Sequence, residues 1–264
     1  MNCKNCNTVL SDHHNFCPEC GAKVIRNRLT LKNIFSDFSA QFLNYDNTFL
    51  VTFIHLFTKP EAVINGYING TRKKYIHVIQ YLAISLTLLG LQLFILNKFY
   101  PDFFTSVFTD TQNYFATYPE ESRHDMEKFM TNYYTFINEY QSLIYVIGIP
   151  LTAFVTRLAF LKEKLYNFTE HIVVNTYITA QYVLFSFFTY LFFAIFDLNI
   201  GVLVTLSTLL YMFYYGFVFY KTHKLSVITI ILRFILSIAI ICAIFLLIFI
   251  VGIIVGVIYL KFFK

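Results

Sequence analysis

The sequence predicts a mainly α-helical fold: a polytopic membrane bundle of about five spans with a small four-cysteine zinc ribbon at the N-terminus. Two observations predict the bundle. Apolar residues make up 57% of the chain and charged residues only 13%, about half the charged share of soluble domains. The ribbon is predicted by two Cys-x-x-Cys pairs near the start of the chain. This composition argues against a soluble globular protein.

The cysteine pairs are Cys3 with Cys6 and Cys17 with Cys20. Two such pairs at this separation indicate a zinc site, because each tight turn brings two thiolates to one metal and two turns complete a tetrahedral set. We therefore predict that residues 1–24 form a ribbon with Zn²⁺ as cofactor. Four thiolates leave no position for water or substrate, so the zinc should be structural and should supply most of the folding free energy.

Two alternatives use the same cysteines differently, as disulfides of a secreted segment or as a thioredoxin-like redox pair. The first residues are polar and do not form a signal peptide, so we expect reduced thiols in a cytoplasm. Phe16 is expected to pack beneath the ribbon, and His13 and His14 to be loop residues rather than ligands. Cys242 lies in an apolar run and is expected to be buried.

Residues 25–75 are predicted to form a basic linker followed by amphipathic helices. From Leu31 to Phe57 apolar residues recur at spacings of three and four, which is the period of an α-helix, and Pro60 begins another short helix. Such a helix with basic neighbours is expected to lie in the membrane interface. The alternative is that the same apolar stripe packs on the bundle.

The transmembrane domain is predicted over residues 76–264. It contains apolar runs that approach or exceed the ~20 residues needed to cross a bilayer. These runs are residues 77–97, 142–161, 171–196, 198–220 and 225–260. Pro150 predicts a kink in the second run. The last run is too long for one upright helix, so it should tilt or protrude.

The distribution of charge predicts the orientation. Arg72, Lys73 and Lys74 precede the first span and are expected to bind the membrane surface on the cytoplasmic side. The loop 98–141 has more acidic than basic residues and is expected outside, with a helix over about residues 120–140. The positive-inside rule therefore places the ribbon in the cytoplasm and the C-terminus outside.

Polar side chains inside spans are default candidates for function. Arg157, Glu170 and His171 lie near one predicted interface, where they form either a proton or substrate site or, as we favour, an ion-paired helix terminus. Arg157 and Arg233 are also expected to extend to the interface. The uncharged polar residues of the spans are expected to bond helices together. They include Gln80, Asn175 and Gln181.

Several motifs together resemble a bacterial family of zinc-ribbon multi-pass membrane proteins of unknown function. They are the first Cys-x-x-Cys pair, Phe16-Cys17-Pro18-x-Cys20-Gly21, Thr52 to Pro60, and Tyr67-Ile-Asn-Gly70-x-Arg72-x-x-Tyr75 before a span. The resemblance covers about residues 1–100 and implies zinc binding and residence in the bacterial inner membrane, but no activity. Asn7 departs from the family, in which glycine often follows the first pair. The five-span layout also resembles Yip-type membrane proteins at the level of fold.

These observations favour a non-enzymatic adaptor or regulator whose ribbon contacts a cytoplasmic protein partner while the bundle sits in the lipid bilayer. No phosphate-binding loop, nucleophile elbow or dinucleotide motif is present, so we expect no enzyme. The alternative is a transporter, channel or export accessory subunit built around Pro150, Arg157, Glu170 and His171. Nucleic-acid binding is not expected, because the basic residues adjoin an anionic leaflet. Whether the chain forms a homo-oligomer stays open.

Overall fold

The computed structural model describes residues 1–24, 30, 48–71, 73–100 and 120–263. Within the helices, only the backbone is described at residues 120–123, 127, 134, 200 and 254–263. The chain divides into two compact units, Met1–Asn47 and Thr48–Lys264.

The described part of the larger unit is mainly helical. Its helices are α1 (Thr48–Thr58), α2 (Pro60–Ile68), α3 (Val78–Phe99), α4 (Glu120–Ala159), α5 (Phe168–Ile195), α6 (Ile200–His223) and α7 (Val227–Phe263). Each of the predicted apolar runs corresponds to one helix from α3 to α7. By length and composition these 5 helices can cross a membrane.

Helix α4 joins two segments that the sequence predicts separately. The expected helix over residues 120–140 and the expected span over 142–161 form one helix of 40 residues, because neither glycine nor proline interrupts the chain before Gly148. At 1.5 Å per residue it is about 60 Å long, about twice the hydrocarbon thickness of a bilayer. The helix continues through Pro150.

Local chemistry sets the ends of the short helices. Pro60 occupies the first turn of α2, where a missing N–H costs nothing. After α2 the backbone turns through Gly70 at φ +96°, a conformation that L side chains rarely adopt. The His77 side chain then accepts a hydrogen bond from the Ile79 N–H at 3.3 Å and thereby caps α3.

Helices α1 and α2 pack into the core of the bundle. Leu56 of α1 and Val63 and Ile64 of α2 are completely buried, in one cluster with Tyr81 of α3 and Tyr177 of α5. Leu56 of α1 therefore packs within the protein, whereas Leu50, Ile54 and Phe57 of the same helix are exposed. The predicted helix before α1, over residues 31–47, lies outside the described residues.

Helix α7 has the opposite environment, because none of its most apolar stretch is buried inside the protein. Cys242 lies in this stretch and is exposed, so the prediction that it is buried is wrong. Its apolar surroundings in the sequence mark a surface that faces outward from the bundle. A Cβ added at Gly252 of the same helix would meet no other heavy atom within 4 Å.

Candidate metal centre and buried polar sites

The first knuckle of the ribbon is a tight backbone turn around Cys3. Its N–H donates to the Thr8 carbonyl at 2.9 Å, and its own carbonyl accepts from the Asn7 N–H at 2.9 Å. The Leu10 N–H closes the turn on the Met1 carbonyl at 2.7 Å. These bonds hold the chain in a small hairpin that contains both Cys3 and Cys6.

The second knuckle repeats every one of these bonds 14 positions later in the numbering. The Cys17 N–H donates to the Ala22 carbonyl, the Gly21 N–H to the Cys17 carbonyl, and the Val24 N–H to the Asn15 carbonyl, all at 2.9 Å. The ribbon is therefore an internal repeat. Beyond the cysteine spacing, the side chains of the two copies differ, so the repeat is visible in the backbone rather than in the sequence.

Asn7 and Gly21 are equivalent positions of this repeat, and both have a left-handed backbone, with φ of 61° and 69°. Asparagine enters this region more readily than other non-glycine residues. The departure from glycine at Asn7 therefore preserves the turn.

The four cysteine sulfurs converge as a zinc site requires. The Cys3 and Cys20 sulfurs are 3.6 Å apart and those of Cys6 and Cys17 are 3.5 Å apart, and all four lie within 4.8 Å of one another. A tetrahedral zinc with ~2.3 Å bonds places its sulfurs about 3.8 Å apart. All of these cysteines are free, so the disulfide alternative is not found. The donor set fits Zn²⁺.

Hydrogen bonds prepare some of the thiols for ionisation. Bonds from the side chain and backbone of Thr8 lower the pKa of Cys6. The Asn5 side chain, followed by the Ala22 backbone, lowers the pKa of Cys20 to about 6. A backbone hydrogen bond from Cys20 lowers the pKa of Cys17. Burial and the neighbouring thiols raise it by more, so that the pKa of Cys17 is about 11. Each knuckle therefore has one thiol with a lowered pKa, Cys6 in the first and Cys20 in the second. This suits a zinc site, because zinc binds thiolates.

The packing of the ribbon differs from the expectation for Phe16. Its side chain is 54% exposed, whereas Leu10 is buried beside Cys3 and Cys17. Side chains alternate along extended backbone, so Cys17 facing inward turns Phe16 outward. The prediction that Phe16 packs beneath the metal site is therefore wrong. Neither His13 nor His14 joins the described metal-ligand cluster.

Of the predicted trio Arg157, Glu170 and His171, Glu170 is used in the cap of its own helix. Glu170 and Asn167 form a capping box, in which the Glu170 carboxylate accepts from the Asn167 N–H at 2.7 Å and the Asn167 side chain accepts from the Glu170 N–H at 2.9 Å. This carboxylate stabilises the N-terminus of α5. It is not a partner of the arginine.

His171 is buried in an aromatic cluster with a second histidine, His223 of α6, which no motif in the sequence marks. The ring of His171 lies 5.9 Å from Tyr166, 6.3 Å from Phe219 and 6.4 Å from His223, centroid to centroid. Nδ1 of His171 and Nε2 of His223 are buried without a hydrogen-bond partner.

The ion pair of this region joins Glu163 to Arg233. Nε and one terminal nitrogen of Arg233 donate to the same carboxylate oxygen of Glu163 at 3.1 and 2.6 Å. The side chain of Glu163 is 13% exposed and that of Arg233 is 18% exposed. Arg233 was expected to extend to the interface alone. Its partner comes from the α4–α5 loop, 70 positions earlier, and no local sequence signal connects them.

Tyr166 attaches the same loop to α2. Its hydroxyl donates to the side-chain oxygen of Asn65, and burial raises the pKa of Tyr166 to about 12. The phenol therefore stays protonated and remains a donor at neutral pH.

Gln181 bonds three helices together. It accepts from the Tyr81 hydroxyl of α3, and its amide donates to the Phe53 carbonyl of α1 at 3.1 Å. Asn175 has the same role between other helices: it donates to Thr156 of α4 at 3.1 Å and accepts from Tyr215 of α6.

Gln80, which was expected to act in the same way, is exposed. The expectation that polar residues of the spans bond helices together therefore fails at Gln80, which faces outward.

The basic residues before α3 are only partly described. Lys73 and Lys74 are exposed, and the ammonium group of Lys74 lies 5.4 Å from the centroid of the Tyr75 ring. Arg72 lies outside the described residues. The Tyr75 hydroxyl bonds Nδ1 of His55 in α1 at 3.0 Å, so the segment beside the bases is attached to the bundle.

Two segments of the chain match known families. Residues 2–24 match a zinc-ribbon domain, and residues 46–90 match a family described as protein of unknown function (DUF3667). The second segment contains α1, α2 and the first half of α3, so it corresponds to one packed part of the bundle. No curated protein and no solved structure matches.

Proposed function

We propose that the protein is a non-enzymatic membrane adaptor or regulator, with its zinc ribbon in the cytoplasm and its bundle in a bacterial inner membrane. The observation that carries the proposal is the surface of the ribbon. Val9 and Phe16 are 77% and 54% exposed. The metal-binding cysteines of the same unit serve to fold it, so the exposed apolar side chains are the part of its surface that suits binding. Aromatic side chains are enriched at the centres of protein interfaces, so this surface suits a protein partner.

The chemistry of the buried groups supports a binding role over a catalytic one. Four thiolates close the coordination sphere of zinc. In the described part of the bundle, Gln181 and Asn175 bond neighbouring helices, and Glu170 caps its own helix. These groups are used for structure, which is what an anchoring bundle requires.

The positions of charged residues support the orientation. Lys162 and Lys164 in the α4–α5 loop and Lys224 after α6 lie at one end of the bundle, and Asp197 between α5 and α6 lies at the other. Under the positive-inside rule the lysine end is cytoplasmic. The chain from the ribbon enters α3 at this end.

Crosslinking from the ribbon tests the proposal. A photo-reactive phenylalanine analogue replaces Phe16 in the full chain in cells, and the same analogue at the exposed Lys4 serves as the matched control. We expect a single protein to be captured from position 16, much less of it from position 4, and none after Cys17→Ser. Crosslinks to lipid or to the chain itself, and to nothing else, would overturn the proposal.

A second candidate, a transporter, channel or export accessory subunit, is favoured by one observation. His171 and His223 each place a ring nitrogen without a partner in the core, and such groups inside a membrane protein are candidates for proton transfer. The full chain in liposomes should then move protons under a potential, and His171→Phe should stop the flux. No flux above that of empty liposomes would exclude this candidate.

A further inference from the structure

Helix α6 carries an outward-facing ridge that ends in a cation. Phe213, Phe217 and Lys221 follow one another at spacings of four, so they lie on one face of the helix. Phe213 is 75% exposed. The ammonium group of Lys221 lies 5.8 Å from the centroid of the Phe217 ring, so the charge is placed over the end of the aromatic ridge.

A groove lies on one side of the ridge, between α6 and α7. Its volume is about 540 Å³, and both phenylalanines of the ridge line it. Ile230 and Phe234 form part of the opposite wall. A Cβ at Gly216 would make ordinary van der Waals contact with the Phe234 ring at 3.9 Å, so a larger side chain at this position would occupy part of the groove.

A second groove lies on the other side of the ridge, where α6 meets α5 and α1. Its volume is about 340 Å³. The same two phenylalanines line it, together with Phe57 of α1 and Phe185 of α5. The ridge therefore separates two grooves that share one wall and run beside the same helix.

The larger groove has the length of one lipid leaflet. Along α6 the lining of the larger groove extends from Leu209 to Tyr220, a rise of about 16 Å, against ~30 Å for the whole hydrocarbon core. Lys221 follows at the next position, and Lys224 is exposed after the helix. The cations thus lie at the end of the grooves where a lipid headgroup would be.

We propose that this face of α6 binds one diacyl anionic phospholipid, with an acyl chain in each groove and the phosphate at Lys221. Two grooves on either side of one ridge match two chains that diverge from one glycerol. A partner transmembrane helix fits this surface less well, because a single helix ~10 Å wide cannot enter both grooves on either side of one row of side chains. A lysine stem lies well on an apolar ring while its ammonium group reaches the headgroups, where it attracts anionic lipid.

Thermal unfolding of the full chain in mild detergent tests the proposal. Phosphatidylglycerol should raise the Tm more than phosphatidylcholine with the same acyl chains. Lys221→Gln should weaken the phosphatidylglycerol effect about five-fold in apparent affinity. The matched control is Lys98→Gln: its ammonium group lies 5.4 Å from the Phe94 ring and 5.7 Å from the Phe99 ring, but Lys98 belongs to α3, which lines neither groove, whereas α6 lines both. This variant should respond like the wild type.

Two further measurements fix the occupant. Single-chain lysophosphatidylglycerol should stabilise less than the diacyl lipid, and Gly216→Leu, which fills one groove, should remove that difference. Equal shifts with both headgroups, or an unchanged response of Lys221→Gln, would overturn the proposal. Light scattering that shows a second copy of the chain bound in place of lipid would also overturn the proposal.

Discussion

Asn7 and Gly21 occupy the same position in the two knuckles of the ribbon, and both have a left-handed backbone, with φ of 61° and 69°. This equivalence explains how the first knuckle closes without a glycine. It also shows which property of residue 7 matters, namely the conformation of its backbone.

The first prediction concerns Asn7. Asn7→Gly should keep the zinc affinity, whereas Asn7→Val should lower it about ten-fold, because a left-handed backbone costs an L residue about 1–2 kcal/mol. Competition with a chromophoric chelator on the full chain measures the affinity. Lys4→Val, at an exposed position outside the left-handed region, is the control. An equal effect of both valines would contradict the prediction.

The second prediction concerns the metal. The purified chain should contain one zinc, and Cys17→Ser should lose it, because removal of one thiolate opens the tetrahedral set. Cys242→Ser should keep the metal, since Cys242 lies in α7. Metal analysis by mass spectrometry measures the zinc. Far-ultraviolet circular dichroism should show the helices intact in both variants, as the ribbon and the bundle are separate compact units.

The third prediction concerns the ion pair. Arg233→Met and Glu163→Gln should each lower the free energy of unfolding by about 1–3 kcal/mol, because each leaves a largely buried charged or polar group without its partner. The double variant should lose less than the sum of the two. Unfolding in mild detergent measures this, with Glu139→Gln at an exposed position of α4 as the control. Strictly additive losses would show that the two residues do not interact.

The fourth prediction compares two glutamines. Gln181→Leu should destabilise the bundle by about 1–2 kcal/mol, because it leaves the Tyr81 hydroxyl without its acceptor and removes the bond to the Phe53 carbonyl. Gln80→Leu, the same change at an exposed position of α3, should have almost no effect. The Tm of both variants in the same detergent gives the comparison. If Gln80→Leu is the more harmful, the assigned network is wrong.

The fifth prediction concerns orientation. With Cys242 replaced by serine and zinc on the ribbon, Lys74→Cys and Lys162→Cys should react with an impermeant maleimide only in inside-out vesicles. Leu198→Cys, in the α5–α6 turn, should react only in right-side-out vesicles. Reaction of Lys74→Cys and Lys162→Cys from opposite sides would disprove the proposed arrangement.

The sequence is sufficient where a short-range pattern carries the information. The spacing of Cys3, Cys6, Cys17 and Cys20 predicts the metal centre, because both members of each pair lie in one turn. Apolar runs predict the five long helices, because the length of a span follows from the thickness of the bilayer. Neither inference depends on which helix neighbours which.

Contacts between distant segments are beyond this kind of pattern. Glu163 and His223 are missed because each lies near the end of a helix, where charged and polar residues are ordinary. Only the packing of α4, α5, α6 and α7 places them beside Arg233 and His171. The failures at Phe16 and Cys242 have a simpler cause. An apolar side chain is expected to be buried when the protein is surrounded by water. Phe16, however, faces outward from a very small unit, and Cys242 faces outward from an apolar helix.

Helix α4 has a mechanical consequence. In the proposed orientation α4 is a stiff rod about 60 Å long that passes through the bilayer and acts as a lever, so a small tilt becomes a displacement of several ångströms at Glu120. Its other end, near Ala159, adjoins the loop that bears Glu163 and Tyr166. A pull on the outer arm would therefore load the contacts of that loop, and Pro150, which removes one backbone hydrogen bond, marks where the lever would bend.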